Sequence, residues 1–272
     1  MKITFIGGGN MAAALIGGLI GKGHAPDTLR AVEIQAEARA RLAAQHGVVC
    51  VDGVAAAAPL GEAVVLAVKP QQMRAAAEAL RPLLARELVI TIAAGIRLAD
   101  LSRWLGGYHT MVRCMPNTPA LVGAGITGLY ASAEVAVEQR TLAESILGAV
   151  GSTLWVTEES MLDPVTAISG SGPAYVFYFI EALQQAAQEM GFSAADARKL
   201  AVETFVGAAK LAAQSAEEVS ALRERVTSKG GTTERALACM QADQVKNLIV
   251  RALHAANQRA RELGEQLGRD HA

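Results

Sequence analysis

Cysteine is nearly absent from this 272-residue chain: Cys50, Cys114 and Cys239 lie far apart. They match no metal-ligand or thioredoxin spacing, so no metal site is expected, and an odd, sparse count fits a reducing cytoplasm. Aromatics are only 4% of residues, which favours closely packed helices over a sandwich of large side chains. No lysine/arginine run exists and the formal net charge is −1, so the electrostatic footprint of a nucleic-acid partner is missing. No apolar run reaches the ~18–20 residues of a membrane span. The run Gly7-Gly8-Gly9-Asn10 also interrupts the apolar start too early for a signal peptide. A soluble, cytoplasmic protein is the expectation. None of the five histidines, His24, His46, His109, His254 and His271, falls inside a motif described below.

Hydrophobic residues, many of them alanine, make up 51% of the chain. That assures a substantial core in one large domain or two ordinary ones. Residues 2–6, 29–33, 48–51, 63–68, 88–93, 109–115 and 153–156 read as strands. Helical patterns lie between them, at 10–22, 36–46, 71–80, 98–105 and 135–150. Such alternation predicts an α/β domain with a mainly parallel sheet covered on both faces. After Trp155 the strand signal vanishes, and 158–190, 194–214, 217–226 and 242–267 read as helices. The expected division is therefore an α/β domain at 1–158 and an all-helical domain at 159–272. Tyr175, Phe177, Tyr178 and Phe179 coat one of these helices all round, as a helix buried on every side would be. It is either an ordinary core helix or one covered by a second subunit.

Gly7, Gly9 and Ala12 form G-x-G-x-x-A between a strand and a helix. The first glycine permits a tight turn, the second lets the backbone approach a pyrophosphate, and the small third residue keeps helix and strand close. This is the fingerprint of a Rossmann-type dinucleotide domain. Glu33 ends the second strand, where an acid meets the adenosine ribose. It would accept from a 2′-hydroxyl and repel a 2′-phosphate, favouring NADH over NADPH, while Arg39 and Arg41 nearby in sequence pull the other way. Ala67-Val68-Lys69-Pro70 and Ala93-Ala94-Gly95 close two further apolar strands, and Asn117, in the turn Met115-Pro-Asn-Thr-Pro119, is a candidate cofactor-binding residue able to bond an amide or the substrate. Ligands in open parallel sheets bind outside the carboxyl ends of strands.

Two later segments point to a small anionic substrate. Val226-Thr-Ser-Lys-Gly-Gly-Thr-Thr233 packs four hydroxyls and two glycines into eight residues. Glycine lets backbone amides wrap an anion, and a helix starting near Glu234 would add its N-terminal dipole. Ser169-Gly-Ser-Gly-Pro-Ala-Tyr175 places hydroxyls and glycines ahead of the aromatic helix, a helix start that could wall a polar pocket.

With Phe5-Ile-Gly-Gly-Gly-Asn-Met-Ala12, these motifs stand in the order found in the pyrroline-5-carboxylate reductases, which the chain resembles over nearly its whole length. The resemblance implies reduction by NADH or NADPH of the C=N bond of (S)-1-pyrroline-5-carboxylate, a cyclic imine carboxylate, giving L-proline. It implies a nucleotide site at Ile6, Gly7, Gly8, Gly9, Asn10 and Met11, at Ala67, Val68, Lys69 and Pro70, and at Ala93, Ala94 and Gly95. It implies a substrate site at Ser171, Gly172, Ser228, Gly230, Gly231 and Thr232, with Thr233 on the ring nitrogen. It further implies a homodimer joined through the helical domain, in the family often five dimers in a ring. Lys229 departs from the family's usual proline, and is either a solvated lysine or an added charge near the carboxylate.

Two other classes share part of this pattern. β-Hydroxyacid dehydrogenases also follow a Rossmann domain with helices, but need a proton acceptor, commonly a lysine soon after a glycine-rich helix start. Here the next lysine after 169–172 is Lys199. A non-catalytic nucleotide-binding regulator would have no need of the 169–175 and 226–233 segments.

Overall fold

The computed structural model describes residues 1–269. His271 lies outside the described residues. In chain order the elements are β1 (Ile3–Ile6), α1 (Asn10–Gly21), β2 (Leu29–Val32), α2 (Ala36–His46), β3 (Val49–Val51) and β4 (Ala63–Leu66). Then come α3 (Met73–Leu80), β5 (Leu88–Thr91), α4 (Leu98–Trp104), β6 (Met111–Met115), β7 (Gly125–Ala131), α5 (Val137–Leu147) and β8 (Gly151–Trp155). Helices follow: α6 (Leu162–Val165), α7 (Gly172–Glu189), α8 (Ala194–Gln214), α9 (Val219–Arg225), α10 (Thr232–Ala242) and α11 (Val245–Gly268).

The strands form one sheet in the order β3-β2-β1-β4-β5-β6-β7-β8. All neighbours are parallel except β6 and β7. Every residue of β1, β4 and β5 is buried, as expected for strands covered on both faces. Alternate residues feed two cores. Phe5, Val65, Ile90 and Val112 pack with Leu15, Ile16 and Leu19 of α1 and Ile146 of α5. Ile6, Val64, Leu66 and Val89 pack with Met73 and Leu80 of α3 and Trp104 of α4.

One strand differs from the expectation. β7 is absent from the sequence-derived set because Gly125 and Gly128 interrupt its apolar pattern. Both glycines have packing reasons: a Cβ at Gly125 would lie 3.0 Å from Ala120, and one at Gly128 would lie 2.8 Å from Val165 Cγ1. The expected continuous helix at 158–190 is also broken, into a 3₁₀ turn at Glu159–Met161, α6, a π-helical turn at Thr166–Gly170, and α7.

Two compact units result: Met1–Ser171 together with residues 256–269, and Gly172–Ala255. They differ from the 1–158 and 159–272 division. Leu162 and Ala167 are buried, and α6 packs on β6 and β7, so the segment after residue 158 still belongs to the sheet. The second half of α11 also returns to the first unit. There Leu267 packs with the core that holds Ile96 and Leu101.

The second unit pairs α7 with α8. Ser193 caps α8, its hydroxyl accepting from the Asp196 amide at 3.1 Å. Little else is covered. In α7 no residue is buried, in α8 only Ala197 and Ala201 are, and Tyr178 is 73% exposed. The expectation that the aromatic helix is buried on every side therefore fails within one chain. A few helices shield only one face of each other, and the rest of this apolar surface is left uncovered.

Candidate active site

The turn after β1 shows why three glycines stand in a row. Gly7 has φ 106°, and a Cβ there would lie 2.7 Å from the Ala67 carbonyl oxygen. Its amide donates to Val32 O at 2.9 Å. Gly8 donates to Glu33 Oε2 at 3.0 Å, and a Cβ on Gly8 would meet the Glu33 side chain at 3.0 Å. Gly9 differs from both. Its φ of −71° suits any residue, and a Cβ there would meet nothing within 4 Å. No atom of the chain requires that position bare, and the approach to the start of α1 stays open. Gly9 caps α1 without any side-chain hydrogen bond, so the first amides of the helix, from Asn10 and Met11 onward, have no intrahelical acceptor. The site thus offers an anion the dipole and donors of a helix start.

β1, β4 and β5 are neighbours in the sheet, which brings 7–11, 67–70 and 93–95 into one row at the strands' carboxyl ends. Glu33 follows β2, the neighbour on the other side. Its Oε1 accepts the Gln35 amide at 2.9 Å. Arg39 donates Nη1 to the carbonyls of Glu33, at 2.7 Å, and Ile34, at 3.3 Å. Ala93 is buried, Ala94 and Lys69 are exposed, and Gly95 has φ 77°. A Cβ on Gly95 would lie 2.8 Å from Leu267 Cδ1, so the tail of α11 lies against this turn.

Asn117 is 9% exposed and has both ends of its amide engaged. Nδ2 donates to Ser169 O at 3.1 Å, and Oδ1 accepts the Ile126 amide at 2.9 Å. These bonds make it a brace for the 169–171 segment. That segment closes the π-helical turn at Thr166–Gly170, a feature frequent at functional sites. The Ser169 hydroxyl donates to Val165 O at 2.9 Å and the Ser171 amide to Thr166 O at 2.8 Å. Gly170 packs against Met115, and a Cβ on Gly172 would meet open space.

In the second unit, α10 begins at Thr232, two residues before the expected start, with Gly231 as a cap lacking a side-chain bond. Thr232 and Thr233 thus occupy its first turn. Gly230, at φ 75°, donates to Glu234 Oε2 at 2.6 Å, and Gly231 donates to Ser228 O at 3.0 Å. The two glycine amides expected to hold an anion therefore already have acceptors. The amides of Thr232, Thr233 and Glu234 head the helix and have no intrahelical acceptor. Lys229 is exposed. Sequence reasoning passed over Glu234 as a helix residue; its position three after Gly231 is the capping-box spacing that could have found it.

Residues 159–263 match the protein family described as pyrroline-5-carboxylate reductase dimerisation, and residues 2–95 match the family NADP oxidoreductase coenzyme F420-dependent. The pyrroline-5-carboxylate reductase of Pseudomonas aeruginosa is 47% identical over 268 residues, covering 98% of each chain. The structure of the Coxiella burnetii pyrroline-5-carboxylate reductase superposes with a TM-score of 0.92 at 41% identity, covering 96% of this chain and 98% of that one. A Plasmodium falciparum pyrroline carboxylate reductase with NADP bound superposes with a TM-score of 0.86 at 27% identity, covering 97% and 98%. The uncovered apolar faces of α7 and α8 lie inside the matched dimerisation region. On this sequence and fold evidence the chain belongs to the pyrroline-5-carboxylate reductase family.

Proposed function

We propose the following division of labour for the reduction of (S)-1-pyrroline-5-carboxylate to L-proline by this NAD(P)H-dependent enzyme. Ile6, Gly7, Gly8, Gly9, Asn10 and Met11, with the turns at 67–70 and 93–95, hold the dinucleotide, and Glu33 meets its adenosine ribose. The reduced nicotinamide supplies the hydride when bound. Asn117 braces the segment carrying Ser171. Ser171, Gly172, Ser228 and the amides of Thr232 and Thr233 receive the substrate carboxylate, with Gly230 and Gly231 shaping the loop. Thr233 orients the ring nitrogen. A protonated imine is already electrophilic, so hydroxyls and amides suffice and no strong acid is required of the protein.

The observation that carries this proposal is Gly9, whose missing side chain serves nothing within the chain. The experiment is NAD(P)H oxidation with pyrroline-5-carboxylate, beside a 3-hydroxy acid control. Turnover with the hydroxy acid alone would overturn the assignment.

Chains self-associate through the dimerisation region; we extend this to a homodimer, assembled as five dimers in a ring. Sedimentation velocity separates dimer from decamer. Among the described residues no helix is long and apolar enough to cross a membrane, and cytoplasmic residence is proposed.

A further inference from the structure

A buried ion cluster outside the residues assigned above ties the cofactor side of the first unit to its substrate side. Arg113, on β6, is 5% exposed. Its Nη1 donates to Glu159 Oε1 at 2.9 Å, and its Nη2 lies 3.9 Å from Asp163 Oδ1. The same Glu159 oxygen accepts the amide of Leu98 at 2.8 Å. Leu98 opens α4, whose own cap residue Arg97 makes no side-chain cap bond. Glu159 thus caps α4 from a distant segment, three residues after the 93–95 turn, and its charge suits the helix N-terminus. Ten residues beyond Glu159, Ser169 is held by Asn117, which follows the strand carrying Arg113. One carboxylate oxygen therefore joins β6, the start of α4 and the segment leading into the π-helical turn.

We propose, on the functional assignment above, that Glu159 is a positioning residue. It holds the 93–95 turn and the 169–171 segment in one frame, with Arg113 as its anchor. Arg113 does not face Glu159 alone, because the Asp163 carboxylate lies 3.9 Å from its Nη2. Glu159→Ala therefore leaves Arg113 one carboxylate nearby, whereas Arg113→Ala would leave the buried Asp163 without its cation and risk the fold.

The test uses the full-length enzyme. In the cofactor-free protein, Glu159→Ala should raise amide hydrogen exchange at least tenfold in peptides covering both 93–101 and 166–171. Exchange in β1 and β4 should stay unchanged. In turnover, kcat should fall at least tenfold while both KM values move less than threefold. The primary deuterium isotope effect from cofactor deuterated at the transferred position should rise, since misalignment slows hydride transfer itself. That ratio does not depend on how much of the protein is folded. Glu159→Gln, which keeps the acceptor, should recover most of kcat. An unchanged isotope effect, or faster exchange confined to 93–101, would overturn the proposal. Failure of the wild type to reduce pyrroline-5-carboxylate would instead overturn the functional assignment.

Discussion

Glu33 Oε2 accepts the amide of Gly8 at 3.0 Å, so the acid after β2 is fastened to the glycine turn before any ligand arrives. Its other oxygen takes the Gln35 amide, and Arg39 is engaged with the Glu33 and Ile34 carbonyls. A fixed carboxylate accepts a ribose hydroxyl and repels a 2′-phosphate, while Arg39 is turned to backbone oxygens. Wild-type kcat/KM should be larger with NADH than with NADPH. Glu33→Gln should shift the ratio toward NADPH by roughly tenfold, in line with the 1.5–3 kcal/mol of a hydrogen bond to a charged group. A wild type that prefers NADPH would remove Glu33 from this role.

The glycines of the turn separate structural need from ligand need. Gly7→Ala places a Cβ 2.7 Å from Ala67 O at φ 106°. That should cost about 1–3 kcal/mol or more and lower Tm by several degrees. Gly9→Ala meets no atom of the chain and changes only the residue capping α1, a loss of about 1 kcal/mol at most. It should nevertheless weaken dinucleotide binding at least tenfold, about 1.4 kcal/mol. Thermal unfolding and cofactor titration read the two effects independently. Equal cofactor affinity in Gly9→Ala would place the pyrophosphate elsewhere.

Much of the sheet is legible because β1, β4 and β5 are short apolar runs ended by turns, and burial on both faces demands that composition. β7 is not legible, since its glycines answer to packing set by the fold, against Ala120 and, far off in sequence, Val165. The division between units is hidden for a similar reason: nothing local marks where α11 rejoins the first core. Residue types and spacing mark the turns at 7–11, 67–70 and 93–95 as strand ends, and the sheet order brings them into one row. Spacing cannot say that Asn117 has both ends of its amide engaged, or that Glu234 takes the Gly230 amide, because a polar residue's partners are set by the fold.

His46 gives the fold a pH dependence. It ends α2 with Nε2 buried and unpartnered, and its ring lies where a Cβ on Gly17 would meet Cε1 at 3.0 Å. Burial lowers its pKa from the ordinary 6.5, against the pull of a helix C-terminus toward the charged form. With the folded value depressed, the unfolded chain binds the proton first. Stability is therefore fully present above about 6.5 and is lost as pH falls through the folded value. His46→Leu removes the titrating nitrogen. Between pH 7.5 and 5 the wild-type Tm should fall further than the variant's, and parallel profiles would show that this ring does not titrate on unfolding.

The substrate loop yields two opposite effects from adjacent residues. Thr233 stands in the first turn of α10, and its hydroxyl is assigned to the ring nitrogen. Thr233→Val keeps the shape and deletes the hydroxyl, so kcat/KM should fall by about 1–3 kcal/mol if a ligand hydrogen bond is left unmade. Glu234 acts against binding, because its carboxylate reaches the Gly230 amide from a helix start that would otherwise favour the substrate anion. Glu234→Gln retains an acceptor for Gly230 but removes the charge. Substrate KM should then drop by roughly two- to fivefold at low salt, the scale of an exposed charge interaction, with kcat unchanged. The gain should shrink as ionic strength rises. A kinetically silent Thr233→Val would sink the assignment of the ring nitrogen. A salt-independent KM difference in Glu234→Gln would mean that the glutamate acts on loop shape instead of charge.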